Sequence, residues 1–591
     1  MNILRHATAY TLGACFAAVA SAQEPLSKEI TVEKEIIPQE REASRLFQQP
    51  QLVLPAIQQK RLNWTDRAIS APVTPGITIL PPSQYASTVE RQLYRGYVDV
   101  GYFPSFQLGA SAGYRFVDDE FTRAGAWLQY DGSQYSKKNI YGIKPTFKDH
   151  SLTIGADISH QFEEIGTLSA NIGYGMNSLW FPVSEYTSLD GTMTDNGFSQ
   201  TANRFGLGVN WDTNLGALDI TAGINYGFFG FSKPYTGVDI KALKNNSFSV
   251  SLGGKYALGQ KSAIGADISY SSTAFTEHMD IILDSDYLFK GFKVPSTSYG
   301  VVEFHPYFLS QSEHYSARLG VELTAQTGDV SGVNIGPDVR LDWMPSQQFS
   351  LYAQVQSAYI KLNTLGAMMD RNHYINPSIA YMPTRMKGQL DFGLVIGPFA
   401  GASFEAWGGI GSYEFANMPA IYSNVFSGND MSAYPVALGM YIPTEFNSVH
   451  YGLAFNYNYR DVARLRISYE GAPQEHDGGY IEWQDRAKSV IDASLTVTPI
   501  KPLDLTLSYR IRSDRAVLLM QSESDEIFKG YLYSFVDLGN VNSLNFSASY
   551  RFNDRFTIWA NAENLLGEKW QLTYGIPNVG LTGLVGIGYK F

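Results

Sequence analysis

The sequence has little cysteine, little charge and no long apolar run beyond its N-terminus. Its one cysteine among 591 residues leaves no partner for an intrachain disulfide. Charged residues make up only 17% of the chain, against roughly a quarter in soluble domains. After the first two dozen positions no apolar run reaches the ~18 residues of a helical membrane span, so such spans are excluded there. The net charge of −12 gives no indication of a nucleic-acid partner.

Aromatic residues and glycine, by contrast, are abundant. Aromatics reach 14% of the chain, with 38 Tyr, 34 Phe and 54 Gly. A membrane β-barrel needs such side chains without long apolar runs, because only alternate residues of each strand meet lipid. A large soluble all-β protein, such as a propeller, could share this composition.

The N-terminus has the features of a cleavable signal peptide over residues 1–22. Arg5 is followed by an apolar stretch from Ala7 to Ala20 and by the cleavage triplet Ala20-Ser21-Ala22. The alternative is a lipoprotein signal with Cys15 as the lipidated residue. The apolar stretch continues past Cys15, which favours ordinary cleavage. We therefore expect export, with a mature chain that begins at Gln23 and contains no cysteine.

Residues 23–95 differ from the rest in their proline content. Eight of the 26 prolines lie here, a density that blocks helices and sheet interiors. We predict an extended periplasmic arm without its own core, which could be a spacer, a tether or a docking strand.

From Gly96 onward apolar and polar residues alternate. Leu503, Leu505 and Leu507, for example, alternate with Asp504, Thr506 and Ser508, which gives a strand one apolar and one polar face. About 22 such segments occur, joined alternately by short turns and by long loops, such as 177–201 and 413–447. This alternation of short turns and long loops is typical of outer-membrane barrels, and it is not expected in a propeller. The sequence predicts an all-β fold, an antiparallel transmembrane barrel over residues 96–591.

Two prolines fit this prediction poorly. Pro306 and Pro337 fall inside predicted strands, and a closed barrel has no free edge to accept them. We expect β-bulges at these positions, or strand boundaries displaced by a few residues.

The last strand carries an insertion signal. Val585, Ile587, Tyr589 and Phe591 share one face, and the final residue is aromatic. A terminal aromatic on an alternating strand is the pattern that the barrel-assembly machinery recognises. That machinery and outer-membrane lipid are the expected partners of the barrel.

The C-terminal part resembles the end of a TonB-dependent receptor barrel. The resemblance lies in the run from Asn561 to Gly567, in Tyr574-Gly575-Ile576-Pro577, and in the closing run from Gly586 to Phe591. It implies 22 strands, in agreement with the count from alternation. Within the arm, Ile30, Thr31, Val32 and Glu33 resemble a TonB box, the segment that the inner-membrane energy transducer TonB engages.

One family feature is missing. Such receptors carry a globular plug between box and barrel, whereas only 73 proline-rich residues, Gln23 to Arg95, precede the first strand here. The chain therefore resembles the plugless, receptor-like barrels of the Bacteroidota. We expect a transport or channel protein for solutes. The alternative is a scaffold or accessory subunit of the barrel-assembly or surface-export machinery.

No H-E-x-x-H or Walker motif occurs in the sequence. Glu303 and His305 lie on one polar face, where they could be two metal ligands, a base with its orienting partner, or plain lumen residues. Glu475-His476-Asp477-Gly478-Gly479 could bind a cation or be an exposed loop. We assign no catalytic, cofactor-binding or metal residue, and predict that the protein is not an enzyme and has no cofactor.

Overall fold

The computed structural model describes residues 94–591, with gaps at 105, 138–143, 145, 187–192, 234–243, 277–297, 329–330, 358, 362–383, 424–436, 461, 472–473, 477–478, 481–486, 523–530 and 574–575. The predicted signal peptide, the arm and the TonB-box-like segment Ile30, Thr31, Val32 and Glu33 lie outside the described residues. In the part that is described, no helix is long and apolar enough to cross a membrane.

The described residues form a closed antiparallel barrel of 22 strands, which confirms the predicted fold. The strands are β1 Gly96–Phe103, β2 Gln107–Asp118, β3 Thr122–Ser136, β4 Thr146–Phe162, β5 Gly166–Tyr186, β6 Met193–Leu215, β7 Leu218–Lys233, β8 Lys244–Ala257, β9 Ser262–Thr276, β10 Ser298–Gln311, β11 Tyr315–Gly328, β12 Gly332–Ser346, β13 Phe349–Gln356, β14 Thr384–Phe399, β15 Ala402–Ser423, β16 Ala437–Tyr459, β17 Ala463–Gly471, β18 Ser489–Ile500, β19 Leu503–Ser513, β20 Val541–Arg551, β21 Phe556–Glu563 and β22 Thr582–Lys590.

Short strands lie in several of the connections. A hairpin of Ala516–Ser522 and Tyr531–Asp537 joins β19 to β20, and its first strand pairs in parallel with the end of β15. Tyr359–Lys361 continues the line of β13 and pairs with β14. Two further small pairs are Gln474–His476 with Gly479–Tyr480, and Gln571–Thr573 with Ile576–Pro577.

The barrel closes where β1 pairs with β22. The register runs from Tyr97 opposite Lys590 to Tyr102 opposite Val585. At the end of this seam the Phe591 carbonyl oxygen accepts hydrogen bonds from the backbone N–H groups of Arg95 and Gly96, each 2.9 Å long. Closure leaves no free sheet edge along this seam.

The two faces of the wall follow the alternation in the sequence. On β10 the large side chains Val302, Phe304 and Phe308 are exposed on the outer surface, while Glu303 and His305 face the interior. An apolar outer surface is favourable only against lipid, so the same pattern that defines the strands also defines the membrane-facing surface.

Two predicted loops are wrong because the flanking strands extend into them. β5 and β6 have 21 and 23 residues, and β15 and β16 have 22 and 23. A tilted strand needs only ~9–11 residues to cross the membrane, so these two hairpins extend well beyond it. Their outer halves contain proline, glycine and asparagine and lack clean alternation, yet pairing continues through Pro182 opposite Gly197.

The bulges predicted at Pro306 and Pro337 are also wrong. The pairing of β10 with β11 keeps one register from Phe304–Leu323 to Tyr307–Gly320, so no residue is inserted. The two pairs between them, His305–Glu322 and Pro306–Val321, lack the backbone hydrogen bonds of a regular ladder. Pro306 lacks an N–H, so its place in the ladder falls in this short interruption. The pairing of β12 with β13 starts at Asp338, opposite Gln356. Pro337 lies just outside this pairing, so its missing N–H interrupts no bridged pair there.

Candidate functional site

The inner wall of the barrel is the candidate functional site, because it gathers charged side chains from strands distant in sequence. Inward positions on neighbouring strands lie side by side when the register aligns them. Three groups of charged residues result: a cluster on β9–β12, a cluster on β14–β16, and a set of arginine–carboxylate pairs at other inward positions.

The first cluster, here called the His305 cluster, consists of Glu303, His305 and Glu322. His305 Nε2 lies 3.6 Å from Glu322 Oε1, and one ligand atom of each of the three residues lies within 4.8 Å of the others. Glu303 Oε2 accepts a hydrogen bond of 2.7 Å from the Ser269 hydroxyl. A nitrogen and two carboxylates at this spacing are a possible ligand set for a metal ion.

Beside this cluster lies an arginine that is already paired. Arg318 Nε donates to Asp338 Oδ2 at 2.8 Å, and the guanidinium lies 3.9 Å from the centre of the Tyr307 ring. A guanidinium held by a carboxylate and an aromatic face has a fixed orientation. Its pairing with Asp338 leaves the two glutamates of the His305 cluster without an arginine or lysine contact in the described structure.

The second cluster surrounds His450 on β16. His450 Nε2 lies 2.9 Å from Asp391 Oδ1, and the amide of Gln389 donates to the other Asp391 oxygen at 2.8 Å. The Tyr413 hydroxyl donates to the Gln389 oxygen at 2.9 Å. Gly409 leaves the space that the imidazole and the carboxylate occupy, since a Cβ there would approach both. A histidine held by a carboxylate could accept or donate a proton, but no nucleophile is positioned beside it in the described contacts.

Arginine–carboxylate pairs occupy further inward positions on β12, β15, β17, β18 and β19. Arg466 contacts Glu405 at 3.3 Å, Arg340 contacts Asp342 at 2.9 Å, and Arg510 contacts Asp492. Acids and bases are interleaved, as expected from the mixed charge of the polar faces. Such a wall is polar and hydrogen-bonded but is not a ring of one sign, which ion selectivity would require.

A cavity of about 70 Å³ lies near the seam of the barrel. Its polar lining includes the side chains of Gln107, Asp131, Asp149, Glu563 and Thr582. The Thr582 hydroxyl is hydrogen-bonded to Gln107, which ties β22 to β2 across the end of β1. The cavity holds at most a few water-sized groups and therefore binds no large solute.

The insertion-signal residues lie together on the outer face. Val585, Ile587, Tyr589 and Phe591 are between 44% and 59% exposed there, so their common face is as predicted, and their role in insertion stays a prediction. Gln474–His476 forms a short strand that pairs with Gly479–Tyr480, and Asp477 and Gly478 lie outside the described residues.

Sequence reasoning identified Glu303 and His305 but missed Glu322, Asp391 and His450. The first two are two residues apart, so alternation alone places them on one face. Glu322 joins them only through the register of β10 with β11, and Asp391 meets His450 only because both strands flank β15. No local signal specifies these registers.

No protein-family model and no curated protein sequence matches the chain. Among solved structures, the FrpB iron transporter from Neisseria meningitidis aligns with a TM-score of 0.58 at 12% identity over 84% of this chain and 81% of that one. The copper transporter OprC aligns at 0.56 and 11% identity over 84% and 80%. The ferripyoverdine receptor of the outer membrane of Pseudomonas aeruginosa aligns at 0.55 and 11% over 84% and 72%. At such low identity the likeness establishes the fold alone: the chain shares the closed transmembrane-type β-barrel of these outer-membrane receptors and transporters.

Proposed function

We propose that this protein is an outer-membrane barrel that carries a solute across the membrane. The observation that carries the proposal is the closed 22-strand wall, apolar outside and lined inside with hydrogen-bonded charge pairs. A barrel of this strand number encloses a lumen wide enough for a solute. The interleaved charges of its inner wall offer polar contacts along the way.

The proposal includes TonB as the energy source. Ile30, Thr31, Val32 and Glu33 resemble a TonB box, and the structural neighbours are receptors and transporters of the same barrel type. The proline-rich composition of residues 23–95 supports a plugless arrangement, like that of the receptor-like barrels of the Bacteroidota, with the arm in the periplasm. In this arrangement the protein is a transporter or channel and not an enzyme.

The test is conductance and uptake by the full-length protein. Reconstituted in planar bilayers, it should give a stable single-channel current or, with TonB supplied in vesicles, energy-dependent accumulation of a solute. Replacing Thr31 and Val32 by proline should abolish the energised component and leave the barrel folded. If neither current nor uptake is seen, and stoichiometric protein partners co-purify in mild detergent, the scaffold function replaces this proposal.

A further inference from the structure

The His305 cluster carries an imbalance of charge that its contacts among the described residues do not correct. Glu303 and Glu322 bring two carboxylates, and the polar groups that contact them are His305 and the Ser269 hydroxyl. Even a protonated imidazole would leave one negative charge uncompensated. The guanidinium of Arg318, which lies beside the cluster, is held by Asp338.

Glu322 makes the imbalance costly because it is buried. It is only 4% exposed, and within the described part of the chain neither its Oε1 nor His305 Nε2 has a hydrogen-bond partner. Leaving a buried carboxylate oxygen and a ring nitrogen unsatisfied is unfavourable, because both lose the hydrogen bonds they would make with water. The two atoms point toward each other, 3.6 Å apart. This separation is too long for a hydrogen bond and close to that of two ligands on one ion.

The backbone pairing between β10 and β11 is interrupted at this cluster. The two ladder pairs between Phe304–Leu323 and Tyr307–Gly320 are not bridged, and Pro306 lies in that interruption. On the other side of Glu322 the facing residue is Gly336, and the Ser357 side chain occupies the space that a Cβ at Gly336 would take. Ser269 fixes one oxygen of Glu303 and leaves the other to turn toward His305. Such an outer hydrogen bond orients a carboxylate that coordinates a metal.

We propose that Glu303, His305 and Glu322 bind a divalent transition-metal ion on the inner wall of the barrel. Ligands bound to one Zn²⁺ at about 2.1 Å stand roughly 3.4 Å apart in tetrahedral geometry. The His305–Glu322 distance of 3.6 Å already matches this spacing. The ligand atoms of all three residues lie within 4.8 Å of one another, so a small rotation of a side chain brings them to it.

The ligand types select the class of ion. One imidazole nitrogen with carboxylate oxygens suits Zn²⁺, Fe²⁺ or Ni²⁺, whereas Cu⁺ prefers sulfur and Ca²⁺ prefers an all-oxygen set. Three protein ligands leave at least one coordination position for water or for a group on a solute. Metal binding at this site does not depend on transport. The proposed function is needed only for the further suggestion that the open coordination position binds a metal-coordinating group on a transported solute.

The experiment is calorimetric titration of chelator-stripped, full-length protein in detergent with Zn²⁺, and with Ca²⁺ for comparison. The wild type should bind one Zn²⁺ per chain more tightly than any further ions, and Ca²⁺ much more weakly. His305→Gln and Glu322→Gln should each weaken that site at least ~100-fold, and Ser269→Ala about 10-fold. The matched control is His314→Gln, the same change in the exposed turn of the same β10–β11 hairpin, and its Zn²⁺ binding should equal that of the wild type.

A folding readout keeps the result interpretable. Zn²⁺ should raise the heat-unfolding temperature of the wild type and of His314→Gln, but not of His305→Gln, because a ligand stabilises only the state that binds it. If the wild type binds no Zn²⁺, or if a folded His305→Gln protein binds it as tightly as the wild type, the metal site is excluded. Conductance of the same proteins is measured separately, so loss of the metal proposal leaves the transport proposal standing.

Discussion

Inward glycines determine whether the charged wall can pack. A Cβ at Gly409 would lie 2.6 Å from His450 Cε1 and closer still to Asp391 Oδ1 and the Leu390 carbonyl oxygen. Real Cβ contacts are not so short, and the obstacles include backbone, which cannot move aside. The side chains of the second cluster therefore occupy the space that the missing Gly409 side chain leaves.

We predict that Gly409→Ala destabilises the barrel by about 1–3 kcal/mol, the usual cost of overpacking. The measurement is the temperature at which the heat-modifiable band on gels is lost. Gly254→Ala is the control, because a Cβ at that outward position meets no atom within 4 Å. Equal unfolding temperatures for the two variants would contradict this account of the wall.

A second residue-scale prediction concerns the turn between β2 and β3. The backbone N–H groups of Thr122 and Phe121 donate to the Asp119 carboxylate and hold the pKa of Asp119 below its ordinary value. A carboxylate whose pKa is lower in the folded state than in the unfolded state stabilises the folded protein. This contribution is fully present above the ordinary pKa of ~3.9 and is lost as the pH falls through the pKa of the folded state.

Asp119→Asn keeps an acceptor but removes the charge, so it should lower the unfolding temperature slightly at pH 7. The difference from the wild type should shrink as the pH falls below ~4. Glu120→Gln, which removes a neighbouring charge and leaves both turn hydrogen bonds, should show no such trend. A difference that persists unchanged at pH 2 would show that the charge of Asp119 is not responsible.

At the scale of the element, the closing strand combines two roles in one residue. The Phe591 ring is stacked on Tyr114 with a centroid distance of 6.0 Å, and its backbone holds the start of β1 through Arg95 and Gly96. The terminal aromatic is therefore both the predicted insertion signal and part of the packing at the seam. Substitutions on either side of the stack can separate these roles.

We predict that Phe591→Ala lowers the amount of protein in the outer membrane several-fold, while Phe591→Tyr retains it. Tyr114→Ala removes the same ring contact but keeps the terminal aromatic, so membrane levels should be near normal if recognition is the main role. Quantitative blotting of membrane fractions is the measurement. A fall as large in Tyr114→Ala would assign the effect to packing at the seam instead.

Strand direction gives another prediction at this scale. If both termini are periplasmic, the connection after β15 is extracellular and the turn after β12 is periplasmic. Because the mature chain is expected to contain no cysteine, Ser427→Cys and Gln347→Cys each introduce a single site for a thiol label. On intact cells a membrane-impermeant maleimide should label the former and spare the latter. The reverse pattern would invert the topology.

For the whole molecule, the arm and the barrel should be separable. Hydrogen bonds at the seam begin at Arg95, so a deletion of residues 23–93 leaves every contact of β1 with β22 in place. We predict that this deletion yields a heat-modifiable barrel at near-normal levels, while energised uptake or partner association is lost. Failure of the shortened chain to fold would mean that the arm packs within the lumen.

The architecture was predictable from the sequence, but the site was not. Period-two alternation is local, so it correctly predicts the strands, their faces and, through loop alternation, a barrel of 22 strands. It fails where pairing overrides local preference, as at Pro182 in β5 and at Pro306 in β10. Glu322 was missed for a different reason. Its contact with His305 depends on the register between two strands, and spacing along the chain does not reveal that register.

The two long hairpins have a consequence for any molecule that reaches their end of the barrel. β5–β6 and β15–β16 are ten strands apart in one direction around the wall and twelve in the other, so they stand almost opposite each other. Most other strands are far shorter, between 8 and 17 residues. Among the described strands, these two hairpins therefore extend furthest, together with the hairpin of Ala516–Ser522 and Tyr531–Asp537 that pairs with the end of β15. A rigid molecule broader than the barrel would contact these hairpins first. If the barrel transports a solute as proposed, we expect binding at this end to depend on the orientation of the solute as well as on its size.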